Sequence, residues 1–186
     1  MATRRSLLAT FPAATGLSIT GCLSSPDGDG GPGIRLESVD DQPDGPLAIE
    51  VAVTREAATE ERPPGLRVSV TNTGNETVDV GEARAVVFAY RYSENGTLML
   101  LPDGGDYPAE PGCWRLTEGI GVSEEYRIRT LAPGESMTSA LSLYATTEVP
   151  ENDCLPTGEH RFESRYTLNP VDGDQQFRWG FTVALE

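Results

Sequence analysis

The sequence predicts an all-β protein in which residues 46–186 form a single antiparallel β-sandwich of about eight or nine strands. Three observations support this prediction. Short segments alternate apolar and polar residues, which is the pattern of strands with one buried face. Turn-forming residues such as Asn95-Gly96 separate these segments. No window has the spacing of an amphipathic helix, and a domain of this length can build one hydrophobic core.

The first half of this domain contains five predicted strands. They cover residues 47–54, 66–71, 76–80, 84–92 and 97–101. In the second of these strands, Leu66, Val68 and Val70 share one face, as expected where a strand covers a core. A turn at residues 72–75 precedes the third strand, and Asn95-Gly96 predicts a tight hairpin before the fifth.

The second half contains four predicted strands, over residues 126–129, 136–144, 160–168 and 177–185. The last of them carries its large apolar residues at every second position. These residues are Phe177, Trp179, Phe181, Val183 and Leu185. Since alternate residues of a strand point to the same side, this strand should bury one whole face.

The N-terminal segment has the composition of an export signal. Arg4 and Arg5 precede a weakly apolar stretch, residues 6–20, which is too short to cross a bilayer core of about 30 Å. Small residues then lead to Cys22. We expect residues 1–21 to be a signal peptide and residues 22–45 to be a flexible tether, because Gly, Ser, Pro and Asp residues cannot bury a core.

Two motifs of this segment resemble known export signals. The sequence Ile19-Thr20-Gly21-Cys22 resembles a lipobox, and Arg4-Arg5 resembles the twin-arginine signal of proteins that are exported already folded. The resemblance implies that Cys22 becomes the lipid-modified N-terminus. The mature protein would then be anchored to the outer face of the cell membrane through the lipid on Cys22.

The charge composition excludes several function classes. The formal net charge is −15, and all 14 basic residues are Arg. Such a surface repels phosphate backbones, so we expect no nucleic-acid partner. The absence of Lys excludes Schiff-base and P-loop chemistry. An acidic, Lys-free composition resembles the proteins of salt-loving archaea, whose high ionic strength screens the crowded carboxylates.

Two segments of the predicted sandwich resemble a known scaffold. LRVSVTNTGNETVDV, from residue 66, and LAPGESMTSALSL, from residue 131, resemble the turns of immunoglobulin-like domains in microbial surface proteins. They are also similar to the BsuPI-type proteinase-inhibitor domain. The resemblance implies an immunoglobulin-like β-sandwich, but its motifs specify strand turns and identify no functional site.

Two cysteines remain after Cys22 is assigned to lipid. Cys113 and Cys154 are an even pair in an exported chain, where disulfides persist, and we expect them to be bonded to each other. A two-cysteine metal site is the alternative. No second cysteine or histidine lies at ligand spacing near either residue, so we predict no metal site and no cofactor.

Few residues are candidates for binding or modification, and none is assigned a catalytic role. His160 is the only histidine, and we expect it to be structural. The loop at residues 102–114 is a candidate recognition surface through Asp106, Tyr107 and Trp114. Asn75 and Asn95 begin N-glycosylation acceptor sequences in predicted turns.

Together these patterns favour a non-enzymatic module at the cell surface. We expect a lipid-anchored sandwich that binds a protein, a glycan or an envelope component. Two alternatives stay open. One is a proteinase-inhibitor-like domain, which the BsuPI-like turns suggest. The other is a hydrolase, which would require His160 or a carboxylate pair in a concave pocket.

Overall fold

Ten β-strands make up the regular structure of the domain. The computed structural model describes residues 31–82, 87–122, 126–170 and 175–186. The strands are β1 (Ile34–Val39), β2 (Leu47–Arg55), β3 (Gly65–Asn72), β4 (Val78–Gly81), β5 (Arg91–Tyr92), β6 (Leu98–Pro102), β7 (Ile128–Leu131), β8 (Ser136–Ala145), β9 (Gly158–Leu168) and β10 (Gln175–Leu185). Within these ranges there is no helix, and hence none that could cross a bilayer.

The strands form two antiparallel sheets of five. The first sheet has the order β1-β10-β9-β4-β7, and the second has the order β2-β3-β8-β6-β5. Their inner faces enclose the core. Its largest fully buried side chains are those of Trp179, Tyr166, Phe88, Phe162 and Phe181. The predicted all-β antiparallel sandwich is therefore confirmed. Trp179, Phe181, Val183 and Leu185 are buried as their alternation in β10 predicts, whereas Phe177 is only partly buried.

Part of the outer face of the second sheet, over β6 and the end of β8, is also covered. Residues 103–122, the cover segment, follow β6 and pack over Met99, Leu101 and Tyr144. Two backbone bonds attach the segment to the end of β8, where the Ala145 amide donates to Trp114 O and the Leu116 amide donates to Ala145 O, each at 2.9 Å. Because β6 is enclosed on both sides, its apolar residues run consecutively and do not alternate.

The predicted start of the domain requires correction. Residues 22–45 were expected to be a tether, but β1 pairs with β10 in register from Ile34↔Leu185. The side chain of Ile34 is buried in the core. The domain therefore begins near residue 33 and not at residue 46. The sequence of β1 does not stand out as a strand, because it has few apolar residues and polar residues flank it on both sides.

The predicted strand at residues 84–92 is also wrong over most of its described length. Residues 83–86 lie outside the described residues, and only Arg91–Tyr92 are extended. Between them, Val87, Phe88 and Tyr90 have φ of 63°, 61° and 58°, which is a left-handed turn. A β-branched residue is seldom found in this conformation, because Cβ crowds the following carbonyl. The Glu82 carboxylate holds the turn in place by accepting the backbone amides of Val87 and Phe88.

A buried asparagine joins the two sheets at one end of the sandwich. The β3–β4 and β7–β8 connections both cross between the sheets there. The Asn72 side-chain amide donates to Glu76 O at 2.8 Å and to Leu131 O at 2.9 Å. Its carbonyl oxygen accepts the Gly74 amide at 2.9 Å. Asn72 thus fixes both crossings, whereas the sequence indicated only a local turn.

We expect Asn72→Ala to lower the free energy of unfolding by about 2–4 kcal/mol, because two carbonyls lose their buried donor. Asn75→Ala is the matched control. Asn75 belongs to the same connection but is exposed, so this change should cost less than about 0.5 kcal/mol. Urea denaturation of the three proteins measures the difference. Equal losses in both variants would contradict the role of Asn72.

Candidate functional site

Strand β7 forms an open edge of the first sheet. It pairs with β4 on one side, from Val78↔Leu131 to Gly81↔Ile128, and no strand of the described chain pairs with its other side. Two large apolar side chains beside this edge are unusually exposed, Tyr126 at 48% and Ile128 at 43%. An exposed strand edge presents unpaired backbone donors and acceptors, which can accept another strand.

The first half of β8 forms a second open edge. Residues Ser136 to Ala140 pair with β3 on one side. On the other side, β6 pairs with β8 only from Leu141 onward. In the part of the chain that the structure describes, no strand pairs with Ser136 to Thr138 on that side. The β7–β8 connection reverses the chain, so this edge lies beside the open edge of β7.

The two open edges line a groove of about 1050 Å³, which we call the edge groove. Ligand sites in proteins commonly have volumes of 300–1,000 Å³, so the edge groove is large enough to hold a peptide segment. Its lining includes Tyr90, Val122, Arg127, Arg129, Thr130, Leu131, Glu135, Ser136, Met137 and Ser139.

The charge of the edge groove differs from that of the chain. Arg127 and Arg129 line it, and Glu135 is the one carboxylate among the described lining residues. The Glu135 carboxylate accepts the Ala132 amide at 2.9 Å and so closes the β7–β8 turn. Against a net charge of −15 for the chain, a local excess of guanidinium groups is unusual. The groove offers apolar surface, unpaired backbone groups and positive charge.

His160 lies in β9, away from the edge groove, and both of its ring nitrogens are used by the fold. Nε2 lies 3.1 Å from Pro156 O, a carbonyl that can only accept, so Nε2 carries the proton. Nδ1 then accepts from Asn95 Nδ2 at 3.2 Å. Burial lowers the pKa of His160 and favours the neutral ring. This arrangement suits a structural histidine, as the sequence indicated.

Glu82 is the most deeply buried carboxylate of the described residues, and it organises the left-handed turn. It accepts the backbone amides of Val87 and Phe88 and the hydroxyl of Ser164. Arg91 lies 3.9 Å away. Burial raises the pKa of Glu82, although these donors oppose the shift. A buried carboxylate without hydrogen-bond partners would cost far more free energy than a strained turn. The turn is therefore maintained, because it supplies two of the donors that Glu82 needs.

The candidate recognition loop is packed more than its sequence suggests. Tyr107 and Trp114 both make edge contacts with the Tyr144 ring, at centroid distances of 5.5 and 6.1 Å. The Trp114 indole donates to Thr59 O at 2.7 Å, and the Tyr107 hydroxyl donates to Pro102 O at 3.1 Å. These two rings hold the cover segment in place. Asp106 is exposed.

The predicted disulfide is confirmed. Cys113 and Cys154 are bonded, with their α-carbons 4.7 Å apart and a sequence separation of 41 residues. The bridge joins the cover segment to the β8–β9 connection. Cys154 is exposed and Cys113 is partly exposed. Trp114 does not enclose the pair, because its indole is directed to Thr59 and Tyr144.

Several predicted residues lie outside the described residues, namely Arg4, Arg5 and Cys22. Asn75 and Asn95 are both described and both exposed, in the β3–β4 connection and the β5–β6 hairpin. In the described ranges, no three Cys, His, Asp or Glu side chains are grouped as a metal site would require.

Sequence reasoning missed the edge groove. The strand containing Tyr126, Ile128 and Arg129 was recognised, but its position at a sheet edge depends on pairing that no local pattern encodes. One indication was present. This strand alternates apolar residues with arginines in a chain whose net charge is −15. Comparison with known proteins adds no assignment, because no family model, curated protein or solved structure matches the chain.

Proposed function

We propose that this chain is an exported module, held at the outer face of the membrane by a lipid on Cys22, that binds an extended acidic segment of a partner polypeptide. It acts by binding and catalyses no reaction. The observation that carries the proposal is the edge groove, in which two unpaired strand edges flank apolar and cationic side chains.

Strand addition is the binding mode that suits such a groove. An extended peptide gains backbone hydrogen bonds from an open edge, and its alternate side chains enter the neighbouring cavity. Ile128 on one side and Met137 on the other provide apolar contacts. A partner that is not extended would leave the backbone groups of β7 unpaired.

Charge favours an acidic partner over a second copy of this chain. Pairing β7 with β7 of another copy would place Arg129 near its own counterpart, and two domains of net charge −15 repel each other. An acidic strand would instead approach Arg129. Lys and Arg at sheet edges also discourage self-association, so the same residues disfavour aggregation.

The position of the edge groove in the sandwich is consistent with an anchored receptor. The chain enters at Gly33, which pairs with Ala57 and Glu186 at one end. Asn72, Leu131 and Glu135 mark the opposite end. Strand β3 spans this distance with eight residues, about 23 Å. A lipid on Cys22 would therefore leave the groove on the side away from the membrane.

A synthetic peptide tests this binding mode. We expect an alternating glutamate–valine heptapeptide to bind the domain, and Arg129→Glu to weaken its affinity at least ~10-fold. Fluorescence anisotropy at about 0.5 M KCl measures the affinity, since contact pairs persist while long-range charge effects are screened. Arg67→Glu is the matched control, because Arg67 is exposed on the outer face of β3.

Two further results decide whether the peptide binds by strand addition. The same peptide with alternate backbone amides methylated should lose binding, because strand addition requires those donors. The proposal is contradicted by a wild-type domain that does not bind the heptapeptide. It is also contradicted if Arg67→Glu weakens binding as much as Arg129→Glu does.

A further inference from the structure

We infer that Asn75 is the N-glycosylation site of this protein and that Asn95 is not, although both begin an acceptor sequence. The inference rests on the proposed export, because the modifying enzymes act on the outer side of the membrane. The two sequences are Asn75-Glu76-Thr77 and Asn95-Gly96-Thr97. The folded structure distinguishes them.

The side chain of Asn95 is part of the hairpin it belongs to. Its Oδ1 accepts the Ser93 hydroxyl at 2.7 Å and the Thr97 hydroxyl at 2.9 Å. Its Nδ2 donates to His160 Nδ1 at 3.2 Å, since Nε2 of that ring already donates to Pro156 O. Both the nitrogen to be modified and the threonine hydroxyl of the acceptor sequence are therefore engaged within the domain.

The side chain of Asn75 is differently placed. Asn75, Glu76 and Thr77 are all exposed in the connection between β3 and β4. Among the described residues, neither the Asn75 amide nor the Thr77 hydroxyl has a hydrogen-bond partner. Asn72 holds this connection from the inside through Glu76 O, so the acceptor sequence projects outward without needing to unfold.

The chemistry explains why an unengaged side chain decides the site. The co-substrate is a glycan linked through phosphate to a polyprenyl lipid. A bond forms between Asn75 Nδ2 and C1 of the first sugar, and the bond between C1 and the phosphate oxygen breaks. The phosphate leaves with that electron pair, and Nδ2 loses a proton. In a chain exported in the folded state, Asn95 is exposed but its Nδ2 would first have to leave His160 Nδ1.

Peptide mass spectrometry of the full-length protein tests the assignment. The protein is purified from membranes of a salt-loving archaeal host that glycosylates its own surface proteins. We expect a glycan on the peptide containing Asn75 and none on the peptide containing Asn95. Asn75→Gln and Thr77→Val should each remove the glycan. Asn95→Gln should leave it in place, and this variant serves as the matched control.

A glycan on Asn95 would overturn the inference. So would an unmodified Asn75 in protein that is lipid-anchored at the surface, and that result would leave the proposed function intact. Protein retained inside the cell would overturn both. Mapping the lipid and the glycan on the same sample therefore separates the two failures.

Discussion

Removal of the Cys113–Cys154 bridge is expected to lower the free energy of unfolding by about 4 kcal/mol. The bridge closes a loop with a sequence separation of 41 residues, and the estimate is the chain entropy that this loop removes from the unfolded state. The loss should appear in full in the double variant Cys113→Ala/Cys154→Ala.

The position of the bridge explains what should fail first. It ties the cover segment to the β8–β9 connection, and beneath the cover segment lie Met99, Leu101 and Tyr144. These side chains are buried only while the segment stays in place. Without the bridge, the outer face of the second sheet should become accessible before the inner core does.

Urea denaturation and hydrogen exchange measure these two effects. Exchange should increase most at the amides of Leu116 and Ala145, which bond the segment to β8. Amides of β9 and β10 should change least, and they serve as the internal control. A loss below about 1 kcal/mol, or two free thiols in the native protein, would contradict the role of the bridge.

Much of the fold was predictable because its strands are amphipathic in a simple way. In β3, the alternate apolar residues Leu66, Val68 and Val70 are buried, and this pattern follows from one core face and one outer face. In β10, the large apolar residues from Trp179 to Leu185 follow the same alternation, although Gly180 and Ala184 between them are buried too. The disulfide was predictable from the cysteine count and the proposed export of the chain. Each of these features depends on residues that are close in sequence or on chemistry that is independent of the fold.

The remaining features depend on contacts between distant residues. Strand β1 has few apolar residues and is ordered by β10, which follows about 140 residues later in the chain. The left-handed turn at Val87 and Phe88 exists because Glu82 accepts their amides. No local propensity favours β1 or the left-handed turn. The sequence pattern therefore predicts a tether in place of β1 and a strand in place of the turn.

The candidate site was unpredictable for the same reason. An open edge is a property of a sheet, and the position of β7 at that edge follows from the strand order. Aromatic residues in the 102–114 loop suggested recognition, but Tyr107 and Trp114 pack on Tyr144, which lies in another strand. Exposure of an aromatic side chain in a loop depends on what the loop covers.

The second large effect is expected from Cys22→Ser, which should move the protein from the membrane fraction to the soluble fraction. In the proposal the lipid on Cys22 is the membrane attachment, since residues 6–20 are too short to span a bilayer and the strongly acidic domain is repelled by anionic headgroups. Ser25→Ala, three residues further on, is the matched control and should remain in the membrane pellet. Both fractions are washed at about 2 M KCl to remove charge-bound protein.

The mass of the mature N-terminal peptide is the most direct test of the lipid anchor. Trypsin should release a peptide that begins at Cys22 and ends at Arg35 from the membrane-bound protein. The account predicts that this peptide carries a lipid on Cys22 and that no peptide extends upstream of it. An unmodified Cys22 in membrane-bound protein, or a mature chain that still contains Arg4 and Arg5, would contradict the proposed anchor.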